Sequence, residues 1–317
     1  MRALVTGGGG FVAQWVIRAM LARGWEVIAS GPEPAAPASA DGVAAGARWR
    51  PLDVRDDAAL GAALDAERPD AIVHLAAVAF PPAATADPAA AWALNVVGTV
   101  RLLGAAGARV KAGTLDPVVL VVGSSEQYGR HDAGDMPLRE EAAQRPLTVY
   151  GATKAAQEVA ALQAHRASRV RVVATRSFNH SGPGQGTDFL LPALVRRALD
   201  LRGAADPRLV LGDQTPVREF THVADVAEAY CRLVEDGTAG EAYNVCSGQG
   251  TTVRELALSV LHRAGVAAEI STDPALLRPV DVPILVGSPD KLRAATGWVP
   301  ARTRDDIIDD LIHAASR

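Results

Sequence analysis

Four consecutive glycines, Gly7 to Gly10, stand between a short apolar run ending at Thr6 and a helical pattern opening at Phe11. A chain that leaves a buried strand through such a turn and enters a helix at once has few architectures open to it. Gly7 permits the tight turn. Gly10 lets a pyrophosphate approach the backbone at the helix N-terminus, where the amides of Phe11 and Val12 and the helix dipole favour an anion. Ala13 stands where a third small residue lets helix and strand pack closely. The bare motif also suits a glycine turn without a ligand. Its place between strand and helix points to dinucleotide binding.

The rest of the first half agrees. Ala3 to Thr6, Glu26 to Ala29, Ala71 to Leu75, Val118 to Val122 and Val170 to Ala174 read as buried strands. They lack polar alternation, as strands covered on both faces do. Helical patterns fall between them at Phe11 to Arg23, Asp56 to Glu67, Ala89 to Ala108 and Tyr150 to Arg166. This spacing predicts an α/β fold with a doubly wound parallel sheet of Rossmann type. Beyond Ala174 the pattern changes. Arg176 to Asp188 is loop-like, helices are predicted near Phe189 to Leu201 and Val223 to Asp236, and a strand at Ala242 to Val245. Thr252 and Glu255 match a capping box opening a further helix. Ala35 to Ala47 reads as a solvated loop. Residues 1–175 are therefore expected to bind NAD(P) and 176–317 to form a smaller substrate region, with segments near 218–247 returning to the first.

Composition narrows the class. Of 317 residues, 49% are apolar and 21% charged, enough apolar surface to offset the entropy of ordering. The net charge is −4, so no basic excess argues for nucleic acid or an anionic membrane. Two cysteines, Cys231 and Cys246, cannot build a disulfide framework, which fits a reducing cytoplasm. The N-terminus turns glycine-rich before a signal-peptide core could form, and no uninterrupted apolar run approaches the roughly 20 residues of a membrane helix. No His or Cys spacing suggests a metal.

The second strand should end on a residue that touches the adenosine ribose, where an acid would favour NAD. Here it ends Ala29-Ser30-Gly31, with Glu33 past the turn. NADP and NAD both remain open, with the balance toward NADP. Asp53, followed by Val54, is a candidate adenine contact; it reads equally as an acid near a helix N-terminus.

Tyr150 and Lys154 are four apart on a predicted helix and share a face. A phenol with an ordinary pKa near 10 is a poor acid–base group at neutral pH, and a nearby ammonium favours its phenolate. Ser124, at a predicted strand end, can hydrogen-bond the same substrate oxygen. Strand ends are where ligands meet a parallel sheet.

Together, Thr6 to Ala13, His74-Leu75-Ala76-Ala77, Ser124-Ser125-Glu126-Gln127-Tyr128-Gly129 and Tyr150-Gly151-Ala152-Thr153-Lys154 resemble the extended short-chain dehydrogenase/reductases of the NAD-dependent epimerase/dehydratase family. That family modifies nucleotide-activated sugars. The resemblance implies a catalytic triad of Ser124, Tyr150 and Lys154, with Lys154 also holding the nicotinamide ribose. It adds Leu75, Ala76, Ala77 and Asn95 to the cofactor site, Asn95 matching a structural Asn on the long helix. It implies a homodimer through the two long helices.

The loop Arg176-Ser177-Phe178-Asn179-His180-Ser181-Gly182-Pro183-Gly184-Gln185 is similar to that of the family's GDP-sugar branch. This implies reduction of a GDP-4-keto-6-deoxyhexose, GDP-4-dehydro-6-deoxy-D-mannose to GDP-D-rhamnose. Asn179, Arg218 and Arg278 would hold the diphosphate, with Ser125 and Glu126 near the sugar. Guanidinium groups suit phosphate oxygens, although Glu219 beside Arg218 offers a surface ion pair instead. His180 is expected to bond its own loop, and Cys246 to be a buried apolar residue. Glu126 keeps a second activity open, because the GDP-mannose dehydratase branch uses such a Glu to remove a C5 proton. A 4-epimerase and a cofactor-binding sensor without catalysis complete the alternatives.

Overall fold

A computed structural model describes residues 1–40, 45–277 and 282–316. Its centre is a seven-stranded parallel sheet built from β1 (Arg2–Thr6), β2 (Glu26–Gly31), β3 (Arg48–Pro51), β4 (Ala71–His74), β5 (Val118–Ser124), β6 (Arg171–Ser177) and a later strand, Ala242–Val245. In space the order is β3-β2-β1-β4-β5-β6, with Ala242–Val245 on the far edge of β6. The chain winds one way from β1 and the other way from β4. The crevice where a doubly wound sheet takes its ligands therefore lies beyond the carboxyl ends of β1 and β4.

Alternation along each strand divides the core. Ala3 and Val5 of β1 point to one face, where α1 (Phe11–Ala22) supplies Val16, Ile17 and Met20 and the helix Val223–Asp236 supplies Val226, Tyr230 and Leu233. Leu4 points to the other face, with Leu60 and Leu64 of α2 (Asp57–Glu67), Leu102 and Leu103 of α3 (Pro88–Lys111) and Ala161 of α4 (Val149–Ser168). Full burial of such side chains is worth roughly 1.5–3 kcal/mol each, which explains why these strands read as unbroken apolar runs. The sheet extends further than those runs. β5 continues to Ser124 and β6 to Ser177, so Arg176 and Ser177, expected in a loop, finish a strand. Their polar ends border the crevice.

Local chemistry sets the helix starts. Asp56 caps α2 through Ala59 N–H at 3.0 Å, and Thr148 caps α4 through Gly151 N–H at 2.9 Å. The Thr252–Glu255 capping box opens the helix Val253–Ala264. By length and composition α3 is apolar enough to cross a membrane. Here Leu102, Leu103 and Ala106 are packed in the core, while Trp92, Val97 and Val100 lie exposed.

A second cluster lies at the carboxyl side of the sheet. Helices Leu190–Asp200, Val253–Ala264 and Arg304–Ala315 bury Leu191, Leu194, Leu256, Val260 and Ile308 against a two-stranded sheet of Arg208–Leu211 and Glu269–Thr272. The segment holding Leu292 and Trp298 packs against the helix Val223–Asp236 and the strand Ala242–Val245, in the same core cluster as β1.

Candidate active site

Between the two clusters opens a cleft of about 1500 Å³. Pockets for one drug-sized ligand span roughly 300–1,000 Å³, so this one has room for two large ligands end to end.

At one end the wall is Gly7, Gly9, Gly10, Phe11, Val12 and Ala13. Gly7 adopts φ +68°, and a Cβ there would meet the Ala76 amide nitrogen at 2.7 Å. Only glycine satisfies both demands. Gly10 is the N-cap of α1, with no side-chain cap and no acid in the first turn. The amides at the start of α1 therefore face the cleft without an anion of their own, the arrangement a pyrophosphate completes. Leu75 and Ala77, beyond β4, line the same wall. These features fit a dinucleotide cofactor.

The edge of that wall differs from the expectation. Ser30 is buried and its hydroxyl donates to the Val5 carbonyl at 3.3 Å, so it does not enter the cleft wall. Gly31, Pro32 and Glu33 do. The Glu33 carboxylate folds back so closely that a Cβ on Gly31 would meet it at 2.6 Å. An acid thus stands close to the end of β2, at the edge of the cleft. Asp53 pairs with Arg55 at 2.7 Å, and that hydrogen bond holds its carboxyl below the ordinary range. Val54 is buried beneath Gly98. Neither lines the cleft. Asn95 is fully buried; its Oδ1 accepts from Val78 N–H at 2.8 Å and its Nδ2 donates to Thr153 Oγ1 at 2.9 Å. It ties α3 to α4 behind the wall, and Ala76 likewise turns its amide to Thr6 Oγ1.

Ser124, Glu126, Tyr150 and Lys154 come together in mid-cleft. Burial, and then the charge of Glu126, push the Tyr150 phenol well up, while a hydrogen bond with Ser124 pulls the other way. Tyr150 is thereby held neutral. Burial lowers Lys154 to about 7. Its Nζ lies 5.9 Å from the Tyr150 ring centre. Glu126 accepts the Thr148 hydroxyl proton at 2.6 Å. Ser125, expected near substrate, is buried outside the cleft wall, because the 3-10 turn Ser125–Gln127 directs successive side chains apart.

The turn itself is braced from below. Gln127 Oε1 accepts from Ser124 N–H at 2.8 Å, and its Nε2 donates to Glu158 at 2.9 Å. Glu158 in turn accepts from Arg176 Nη2 and Nε, at 2.7 and 2.9 Å, in a buried bidentate pair. Reading from sequence missed this brace, yet Ser124-x-x-Gln127 is a capping-box pattern and signalled it.

At the far end the cleft is lined by Asn179, His180, Gln185, Phe189, Arg197 and Arg218. His180 Nδ1 lies 3.0 Å from its own loop's Phe178 carbonyl, and burial lowers its pKa. The carboxylate of Glu219 takes hydrogen bonds from Ser247, Gly248 and Gly287. Arg197 is a second guanidinium here that sequence reading missed, its helix being predicted without a stated role. Arg278 lies outside the described residues. Both cysteines are buried free thiols, and burial raises Cys246 far above the usual thiol range. No cluster able to hold a metal occurs among the described residues.

Residues 3–246 match the model of the NAD dependent epimerase/dehydratase family. The chain is 38% identical over 238 residues to GDP-6-deoxy-D-mannose reductase of Pseudomonas aeruginosa, covering 75% of this chain and 77% of that protein. Among solved structures it resembles RMD from Pseudomonas aeruginosa complexed with NADPH, with a TM-score of 0.84 and 33% identity over 100% of this chain and 99% of that one. It also resembles the UDP-glucose 4-epimerase of Thermus thermophilus in complex with NAD, with a TM-score of 0.86 and 29% identity over 99% and 98%.

Proposed function

Because the chain belongs to the NAD dependent epimerase/dehydratase family, we propose that it is an NAD(P)-dependent reductase of a nucleotide-activated 4-keto-6-deoxyhexose, with GDP-4-dehydro-6-deoxy-D-mannose as substrate and GDP-D-rhamnose as product. The observation that carries this reading is the meeting of Ser124, a protonated Tyr150 and Lys154 in one cleft, between an uncapped helix N-terminus and the Asn179–Gln185 loop.

The Gly7–Ala13 turn, Leu75, Ala77 and Lys154 would hold the cofactor, NADP or NAD, which in reduced form would supply a hydride for C4 of the sugar. Tyr150 gives its proton to the C4 oxygen, so the carbonyl gains a hydride and a proton. Ser124 hydrogen-bonds that oxygen. The Lys154 ammonium stabilises the phenolate left on Tyr150. Arg218 and Arg197 suit the two phosphates, and Asn179 lies beside them. Residues 1–175, joined by Val223–Val245, serve the cofactor, and the remaining cluster serves the substrate. The buried free thiols suit a reducing cytoplasm.

Purified protein supplied with GDP-4-keto-6-deoxymannose and NADPH should yield a product heavier by two hydrogens in mass spectrometry. A second reading, dehydration of GDP-mannose, is favoured by Glu126, whose carboxylate stands in the cleft beside Tyr150. Glu126→Gln separates the two. A reductase has no C5 proton to remove and should keep its rate within roughly threefold, whereas loss of a general base costs about 100-fold or more. Water release from GDP-mannose without net cofactor consumption, abolished in Glu126→Gln, establishes the dehydratase.

A homodimer is also proposed. Trp92, Val96 and Val100 recur every four residues on α3, and Trp92, Val100 and Val159 are exposed at 42%, 49% and 63%. An apolar face of this kind on paired helices suits a second copy. Light scattering at micromolar concentration should give twice the 32.9 kDa chain mass. A monomer at that concentration counts against the proposal.

A further inference from the structure

Gln157, one turn beyond Lys154 on α4, belongs to no motif described above. Lys154 Nζ donates to the Val122 carbonyl at 2.8 Å and to Gln157 Oε1 at 2.9 Å. Gln157 Nε2 donates to Thr99 Oγ1 at 2.8 Å. The single proton of the Thr99 hydroxyl goes to the Asn95 carbonyl at 2.7 Å. Thr99 must therefore accept from both Gln157 and His74 Nε2, the latter at 2.9 Å. His74 then carries its proton on Nε2, and its Nδ1 accepts from Thr6 Oγ1 at 2.8 Å. Burial and the Lys154 charge keep the ring neutral, with a pKa of about 3.

Every link in this chain has one possible direction. Flipping the Gln157 amide would set an NH2 group against the ammonium and an oxygen against a hydroxyl that has no proton left to give. The chain runs from the lysine through α3 and β4 to Thr6, the last residue of β1 before the glycine turn. Lys154, Gln157, Thr99, His74 and Thr6 are each 3% exposed or less. The titratable groups shown facing the ammonium are Tyr150 on its own helix and His74 on β4; Glu126, beyond β5, lines the same cleft. Among the described residues no carboxylate pairs with it.

We infer that Gln157 is a positioning residue: its amide oxygen locks the Lys154 ammonium in register with the glycine turn, so that the third N–H is presented to the cleft. A carboxylate here would give the same anchor but pin the charge. The inference rests on the assignment of Lys154 to the cofactor site, and its test does not need turnover.

The chain has three lysines, Lys111, Lys154 and Lys291. Protein labelled with ¹³C at the lysine Cε positions therefore gives three NMR signals, and Lys154→Met assigns the one of interest. Titration of the cofactor-free protein should place Lys154 near 7. Gln157→Glu should move that midpoint up by about one pH unit or more, and Gln157→Leu should move it down. Gln157→Leu should also weaken NADPH binding, measured by nucleotide fluorescence, by roughly tenfold, as expected where a charged group loses a hydrogen-bonded anchor. Midpoints within about 0.3 pH unit of wild type in Gln157→Glu, with NADPH affinity within about twofold, overturn the inference. If Gln157→Leu does not fold, the Gln157→Glu midpoint decides alone. Should Lys154 titrate and shift as stated while no 4-ketosugar is reduced, the reductase reading falls and this one stands.

Discussion

Tyr150→Phe should lower turnover by about 100-fold or more, some 2.7 kcal/mol of transition-state stabilisation, while leaving the fold and cofactor affinity as they are. The change removes one oxygen and nothing else. The site keeps that oxygen protonated: burial raises the phenol and the Glu126 carboxylate raises it further. A group so tuned gives a proton readily only when its conjugate base is stabilised at the moment of transfer, which is the role the proposed mechanism gives to the Lys154 charge and the Ser124 hydroxyl. Phenylalanine fills the same volume but gives no proton, leaving water as the donor. The comparison needs kcat, a cofactor titration and a melting curve on each protein. Intact turnover in Tyr150→Phe would sink the triad assignment, and both the reductase and the dehydratase readings with it. A lowered melting temperature with lost turnover would instead point to a structural role for the hydroxyl.

How much of this site could be read from the chain depends on which geometric rule each residue obeys. Tyr150 and Lys154 were legible because residues four apart on a helix share a face whatever that helix packs against. The glycine turn was legible because few structures tolerate four glycines between a buried strand and a helix. Strand termini were harder. At the end of β2, whether Ser30 or Gly31 meets the ligand depends on register, and one residue of difference turns a side chain into the core. Ser30 went inward, and the loop beyond it brought Glu33 back over Gly31. Asp53 is a similar case, since its local sequence could not show that Arg55 would take its carboxylate. The buried chain through Thr99 and His74 was out of reach for another reason. Its members lie on β1, β4, α3 and α4, and only tertiary packing brings them together. The apolar runs did reveal the sheet, because burial on both faces leaves its mark in sequence.

Lys154→Met should be as damaging to turnover as Tyr150→Phe, and should differ from it by also weakening cofactor binding about tenfold or more. Methionine keeps the length and apolar bulk of the stem but removes the charge and three N–H donors. Two of those donors are taken up inside the protein, by the Val122 carbonyl and Gln157. Leaving such buried acceptors unpaired costs roughly 1–3 kcal/mol, so a lower melting temperature is expected as well. That loss alone would not single out a cofactor role, but the pH dependence does. In the cofactor-free protein Lys154 sits at about 7 rather than the 10.5 of an ordinary lysine, because burial disfavours its charged form. A lysine is charged below its pKa, so raising the pH through 7 removes the Lys154 charge from mid-cleft. Wild-type affinity for NADPH should accordingly weaken as the pH rises from about 6 to 9, and affinity of Lys154→Met should be flat across that interval. Parallel slopes in the two proteins would show that the cofactor does not sense this ammonium. The residues around it would then be an elaborate support for a lysine that takes no part in binding.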